Sequence, residues 1–298
     1  MSEDAVAPVV AIMLILAVVV TFFAAWNAYY VPSMKAQSEI THIHDVEDGF
    51  LRFSSDIDTA VSVKREMKLS EPIPLGGGEF MFDPVKSGGN LRIVNETEGY
   101  LRVTITNGTN PDTAINLLRF SRYSYEPVNN FWQDQGYVWT YGNLNVTKGS
   151  LATPLQFARM ENVSYDIAGT VFDIGWPSPD SSGQCSRIDV FLVNISPRNG
   201  YTAANGNGNG LLMLNSTVAT RQFANASMLT VRINPNIPEG FKAALWSAVN
   251  QRASEYTANC NNVQYSADAA NLEVQMTFTA IPNMTLNRRL TEISLGAY

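Results

Sequence analysis

The chain is poor in the side chains that most enzymes use for catalysis. It has 298 residues but only two histidines and two cysteines, and 16% of its residues are charged. Both histidines, His42 and His44, lie in one short stretch, so the remaining chain offers no Ser-His or Cys-His pair. No GxSxG, HExxH or P-loop string occurs either. These absences argue against an enzyme, and nothing in the sequence predicts a cofactor.

Charge is also missing from the whole stretch between Ala5 and Tyr30. As a helix rising 1.5 Å per residue, this stretch is about 39 Å long, which exceeds a hydrocarbon core of about 30 Å. The acids Glu3 and Asp4 stand where a secretory signal peptide carries basic residues. Pro8 falls in the first helical turn, where its missing N–H costs least. The sequence therefore predicts one apolar, membrane-spanning helix over this stretch.

Basic residues are in deficit. The chain has a net charge of -7 and a pI of about 4.9, which argues against a nucleic-acid partner. Asparagine, serine and threonine are abundant, and they form Asn-x-Ser/Thr sequons that are useful only on an exported surface. Pro197 follows one of them, at Asn194, and weakens it as a glycan acceptor. The sequence therefore predicts an extracellular, glycosylated domain at the cell surface. The other sequons are at Asn95, Asn107, Asn145, Asn162, Asn215, Asn225 and Asn283.

The two cysteines, Cys185 and Cys260, suit the same compartment. An even number of cysteines in an exported domain favours a disulfide, so we expect these two to pair. Two unrelated buried thiols are the alternative. A metal site at the cysteines is less favoured, because no CxxC spacing occurs and the histidines are far away in sequence.

Residues 33–62 repeat apolar side chains with a seven-residue step, which is typical of an amphipathic helix. We expect this stalk to bury its apolar seam, and Pro32 to introduce a kink or a short unwound turn before it. His44 and Asp48 are one turn apart and could supply two metal ligands, although a solvated face explains the pair better. The seam is Ala36, Ile43, Val46, Phe50, Phe53 and Ile57, and the predicted polar face carries Glu39, Asp45, Glu47, Asp48 and Arg52.

Beyond Val63 the helical period gives way to short alternating runs, such as YDIAGTVFDIG. These runs are separated by breaks rich in Gly, Asn, Pro and Ser, such as NGYTAANGNGNG. This pattern predicts a mainly antiparallel, β-sandwich-like head. One late helix interrupts it, with Asn236 as the predicted N-cap and Pro238 near its first turn. The predicted fold class is α+β, with a short leader at 1–4, a long N-terminal helix at 5–62, and a head at 63–298 that shows no obvious internal linker.

Carboxylates near aromatic stretches are the remaining candidates for binding chemistry. Asp134 lies in FWQDQGYVW, and Asp173 and Asp180 lie in FDIGWPSPD. Carbohydrate-binding grooves share this combination, but Trp and Tyr on strands more often belong to the core.

The N-terminal stretch AVAPVVAIMLILAVVV, behind Glu3 and Asp4 and ahead of a helix entering a β domain, resembles the N-terminal region of archaeal type IV pilins. The usual pilin pattern reads A-V-S-P-V-I-G-V. It is matched here by Ala5, Val6, Pro8 and Val9, while alanines stand where the usual Ser and Gly would be, at Ala7 and Ala11. The runs SMKAQSEITHI, PLGGGEF and SGGNLRI are similar to larger pilin-like proteins of methanogens and their relatives.

The resemblance implies that a prepilin-type peptidase cuts between Asp4 and Ala5, after which the apolar helix leaves the membrane and packs with copies of itself. An uncharged helix rich in Ala and Val is compatible with both environments, because small side chains let backbones approach closely. The implied partners are other subunits, the membrane before assembly, the peptidase and the assembly machinery. The implied filament core contains Val6, Pro8, Val9, Ile12, Leu14, Leu16, Phe22, Phe23 and Trp26.

Two functions follow from these observations. One is a structural subunit, major or minor, of a type IV pilus-like extracellular filament that serves adhesion or cell–cell contact. The alternative is a single-pass anchored surface protein whose β domain binds a ligand or the cell envelope without assembling.

Overall fold

The structure, a computed structural model, describes residues 6–76, 87–96, 99–107, 110–128, 134–155, 167–279 and 284–298, with the backbone alone for residues 6–7 and 110–116. It consists of a long N-terminal helix followed by a β-rich head with one later long helix. The predicted α+β fold is therefore confirmed.

The N-terminal helix is continuous through Pro32. Helix α1 (Val6–Ala25) leads into a π-helical turn (Trp26–Tyr30), and α2 (Val31–Val63) follows without a break. The Val31 N–H donates to the Trp26 carbonyl, five residues back. This wider turn accommodates a proline, which has no N–H and whose ring clashes with the carbonyl four residues earlier in a regular helix. A π-helical turn therefore stands where the sequence predicted an unwound turn.

Helix α2 ends at Lys64, which adopts the left-handed conformation (φ 51°, ψ 48°). Its N–H donates to the Ala60 carbonyl at 3.1 Å. Such a residue commonly stops a helix, although glycine is the usual choice. The chain then turns back into the first strand, which runs alongside the helix it has just left.

The larger sheet has ten strands, and its path begins beside α2. Its order is β1 (Met67–Pro74), β11 (Asn209–Phe223), β15 (Thr285–Ala297), β10 (Arg187–Gly206), β2 (Gly88–Asn95), β5 (Ser121–Val128), β6 (Gly136–Thr140), β7 (Asn143–Lys148) and β8 (Leu151–Pro154), and β9 (Phe172–Ile174) also pairs with β10.

A second, five-stranded sheet is antiparallel throughout. Its order is β13 (Val263–Asp268), β14 (Glu273–Phe278), β12 (Ala226–Ile233), β3 (Leu101–Asn107) and β4 (Asn110–Leu118).

Strand β10 joins the two halves of the larger sheet. Residues 187–197 pair with β15 in parallel, and residues 203–206 pair with β2 antiparallel. The register shifts between Pro197 and Thr202, where the proline cannot donate to the ladder. Among the described strands, the pairing of β10 with β15 is thus parallel, and all other pairings are antiparallel.

Helix α3 (Glu239–Asn259) contacts both sheets, through β9 of the larger one and β12, β13 and β14 of the smaller one. Its Phe241 ring lies 5.0 Å from Tyr141 and 5.6 Å from Phe120, measured between ring centroids. The N-cap is Pro238, so the prediction of Asn236 was wrong. The Asn236 N–H instead donates to the Asn234 side chain, within the turn that precedes the helix.

Several strand boundaries differ from the sequence pattern. In the described part of the run YDIAGTVFDIG, residues 167–171 are helical and Phe172–Ile174 form a strand. The run NGYTAANGNGNG was expected to be a break, yet most of it extends β10 and begins β11. Neighbouring strands supply the ladder hydrogen bonds there, and these override the weak β propensity of Gly and Asn.

Candidate functional site

Helix α1 is exposed to the surroundings along its whole described length. Leu14 is 63% exposed and Phe22 is 62% exposed. Among the described residues, the N-terminal helix is the one long and apolar enough to cross a membrane, and none of its apolar window is buried in the chain. The other residues of the implied filament core are exposed too, wherever their side chains are described: Pro8, Val9, Ile12, Leu16, Phe23 and Trp26. Only the backbone of Val6 is described.

Helix α2, in contrast, buries its predicted seam against the head. Ala36 and Ile43 are 8% exposed, and the four seam residues after them are fully buried. Gly49 allows α2 to approach β1 closely, because a Cβ atom there would lie 2.5 Å from the Ile73 Cδ1 atom. The fully buried seam residues are Val46, Phe50, Phe53 and Ile57, and Ala60 and Val61 extend them.

Beside β1, four aromatic side chains line the surface of the head that receives α2, and we call them the aromatic groove. Tyr123 pairs with Trp139 across β5 and β6, and Tyr125 pairs with Tyr137. Residues two apart on a strand face the same side, so these four rings share one face. Phe50 enters this groove, with its ring centroid 5.1 Å from Tyr123 and 5.8 Å from Tyr137.

Polar contacts fix the position of α2 in the groove. The Tyr137 hydroxyl donates to the Glu47 carboxylate at 3.0 Å, and the Trp139 indole N–H donates to the Ser54 hydroxyl at 3.0 Å. Burial raises the pKa of Tyr137, so its hydroxyl remains a donor at physiological pH. These bonds satisfy polar atoms that the packing removes from water.

His42 meets the groove through Tyr125. The His42 Nε2 atom lies 3.3 Å from the Tyr125 hydroxyl, which donates to the Leu75 carbonyl at 3.1 Å. We therefore assign the proton of the ring to Nε2, which leaves Nδ1 as a buried acceptor without a hydrogen-bond partner in the described part of the chain. Burial lowers the pKa of His42, against the opposing effect of the Asp45 and Glu39 carboxylates.

One residue of the predicted polar face is buried. Glu39 is only 6% exposed. It lies three residues after Ala36 and four before Ile43, which places it on the seam rather than opposite to it. The prediction of an exposed Glu39 was wrong, because it rested on the charge of the residue and not on its angular position around the helix.

The two cysteines form a disulfide, which ties the end of α3 to the segment before β10 across 75 residues of sequence. Asn262 reinforces the same junction. Its side chain accepts from the Cys185 N–H at 2.8 Å and donates to the Cys185 carbonyl at 2.9 Å. The disulfide and these two hydrogen bonds therefore hold the end of α3 against the segment before β10.

Each carboxylate considered for sugar binding or catalysis either has a structural partner or is exposed. Asp173 forms an ion pair with Arg252 at 3.0 Å. The Asp180 carboxylate accepts from the Ser182 hydroxyl and from the Gln184 N–H within a turn. These hydrogen bonds lower the pKa of Asp180, and the bond from the Ser182 hydroxyl has the largest effect. Asp134 is exposed.

No group of three or more metal-binding side chains occurs in the described ranges. His44 and Asp48 are both exposed on α2. A pair of ligands on an open helix face gives a metal ion too few contacts on its own.

The predicted sequons differ in accessibility. Asn225 is exposed in the tight turn between β11 and β12. Asn95, Asn107, Asn145 and Asn215 are half-buried on strands, and Asn194 accepts from the Arg119 N–H. Asn162 and Asn283 lie outside the described residues, as do Asp4 and Ala5 of the predicted processing site.

No protein-family model, curated protein or solved structure matches the chain.

The sequence predicts that α2 buries its seam but did not identify the aromatic groove that receives it. Its signal was present in the alternation of YSY at 123–125 and YVW at 137–139, which places two rings on one face of each strand. What the alternation could not show is that these two strands are neighbours and that α2 covers them.

Proposed function

We propose that the protein is a structural subunit of a pilus-like filament at the cell surface. One observation carries the proposal. An uncharged helix exposed on all sides continues, without a break, into a second helix that is fixed to the head. An exposed apolar helix of this length needs lipid or other helices around it.

The composition of α1 supports packing against copies of itself. Ala and Val recur along it, and Pro8, which removes one backbone donor, lies in its first turn. Small side chains allow helices to approach closely in an apolar environment. The same helix suits a bilayer before assembly and a helical bundle after it. The resemblance of residues 5–35 to archaeal pilins supports the same proposal, including a membrane-bound precursor and an extracellular filament for adhesion or cell–cell contact.

The experiment expresses the full chain in an archaeal host that carries pilus-assembly machinery. Surface material is sheared off, examined by electron microscopy, and analysed by mass spectrometry for the first residue. We expect filaments built of chains that begin at Ala5. Membrane-bound monomers that retain Met1 would contradict the proposal and favour the anchored surface protein.

A charge placed in α1 tests the role of the helix. Leu14→Arg places a charge in its middle, which costs about 2.5 to 3.5 kcal/mol on insertion scales. We expect it to abolish filaments and to reduce the membrane-bound pool. The matched control Gln37→Arg adds the same charge at an exposed position of α2, and we expect it to assemble normally. Equal assembly of the two variants would exclude α1 from the filament core.

A further inference from the structure

A row of four side chains crosses the outer face of the five-stranded sheet. In register, Leu117 of β4 lies opposite Arg102 of β3, Arg102 lies opposite Arg232 of β12, and Arg232 lies opposite Glu273 of β14. The neighbours of the two arginines along their strands are buried, so the arginines face solvent. Like charges placed directly opposite on a sheet destabilise it. The Arg102–Arg232 pair therefore costs stability that some other contact has to offset.

No ion pair within the described chain offsets it. Neither Arg102 nor Arg232 forms an ion pair with a described residue. Glu273 is adjacent to Arg232 in register, but its carboxylate accepts from the Gln275 amide at 2.6 Å instead. Two arginines that lie opposite each other in register are thus left without an ion-pair partner in the described chain, so their guanidinium groups can bind an anion.

The two arginines line one cavity of about 440 Å³. Leu117, which is 42% exposed, and the exposed Pro235 supply an apolar wall beside them. The rim is held in place by Asn234, whose side-chain amide donates to the Gly99 carbonyl at 2.8 Å. A cavity of this size is in the range that holds small organic ligands, roughly 300 to 1,000 Å³.

We propose that this cavity binds a carboxylated saccharide. Paired guanidinium groups recognise a carboxylate with several parallel hydrogen bonds. The apolar wall can cover the C–H face of a sugar ring, a contact that an inorganic anion cannot use. None of the described lining residues is aromatic, so the cavity lacks the stacking surface that a nucleotide base would need. This inference concerns the head alone and does not depend on filament assembly.

The experiment uses the full chain in detergent and titration calorimetry with galacturonate, galactose and acetate as probes. We expect galacturonate to bind, and galactose and acetate to bind at least about tenfold more weakly, which corresponds to about 1.4 kcal/mol or more. Arg102→Gln and Arg232→Gln should each weaken galacturonate binding about tenfold or more. Leu117→Ala should weaken it by a smaller factor.

Arg92→Gln is the matched control, because Arg92 is an exposed strand residue in the other sheet that likewise forms no ion pair with a described residue. We expect it to bind like the wild type. Removing one member of a like-charge pair should not lower the melting temperature, so melting curves separate lost binding from lost folding. Absence of galacturonate binding at millimolar concentration, equal binding of acetate, or equal loss in the Arg92 control would each overturn the proposal.

Discussion

Helices α1 and α2 are two halves of one continuous helix with opposite relations to the head. The more apolar half, α1, is exposed, whereas the half that carries the acids and both histidines is docked and buries its seam. Hydrophobic burial within the chain would favour the reverse. Helix α2 packs against the head of its own chain, whereas we propose that α1 packs against lipid or other helices outside this chain.

The largest expected effect comes from removing α2. A chain that starts near Lys35 keeps the docked helix, and we expect it to be soluble. A chain that starts near Val63 exposes the aromatic groove and the face of β1, and we expect it to aggregate. Size-exclusion chromatography of the two truncated proteins measures the difference. Equal solubility would mean that the head does not need α2 to cover its groove.

Phenylalanine replacements compare the two halves directly. Phe50→Ala removes a fully buried ring from the groove, and we expect a loss of about 3 to 5 kcal/mol in the free energy of unfolding. Phe22→Ala makes the same change in α1, and we expect almost no effect on the melting of the head. Circular dichroism of the full chain in detergent measures both variants. Equal melting temperatures for Phe50→Ala and the wild type would rule out the docked seam.

A smaller effect is expected from the polar contacts of the groove. Tyr137→Phe removes the hydroxyl that donates to Glu47, and we expect a cost of about 1 to 2 kcal/mol because the acceptor is charged. Tyr265→Phe is the control, since Tyr265 lies on the exposed face of β13. Chemical denaturation of both proteins gives the two free energies. A larger loss in the control than in Tyr137→Phe would show that the hydroxyl does not fix α2.

The smallest effect concerns pH. The folded-state pKa of His42 is lowered, so the unfolded state binds the proton more readily. The contribution of His42 is therefore complete above its ordinary pKa of 6.5 and is lost as the pH falls toward the folded value. Asp45 and Glu39 on α2 oppose this effect, and Tyr125 is the titratable contact from the sheet.

We expect the melting temperature of the wild type to fall between pH 7 and pH 5 by more than that of His42→Gln. Differential scanning calorimetry at both pH values provides the comparison. Parallel changes in the two proteins would mean that His42 is not responsible.

The features of the N-terminal helix could be predicted from sequence because they are local. A seven-residue repeat gives the buried face of α2 directly, since every residue of a regular helix has a fixed angular position. Glu39 is the exception, because its charge predicted an exposed residue although its position around the helix places it on the buried seam. Similarly, Pro32 predicted a kink or an unwound turn, but the hydrogen-bond pattern is needed to show that a π-helical turn accommodates the proline.

Features that depend on distant strands could not be predicted in the same way. The parallel pairing of β10 with β15 joins residues about 100 positions apart, and the Arg102–Arg232 pair joins positions 130 residues apart. Alternation shows which face of a strand is buried but does not show its neighbour. The cavity beside Leu117 and the groove for α2 both follow from such neighbours.

The position of β15 has a consequence for the order in which the protein folds. Residues 285–297 lie between β10 and β11 in the ten-stranded sheet, and β11 in turn holds β1 beside α2. The part of the sheet that packs against α2 is therefore incomplete until residues 285–297 have been synthesised and have paired with β11. Pairings of such long sequence separation form slowly. We expect α1 to reach the membrane while the head is still unfolded, so that the apolar half of the helix finds its partner before the polar half does.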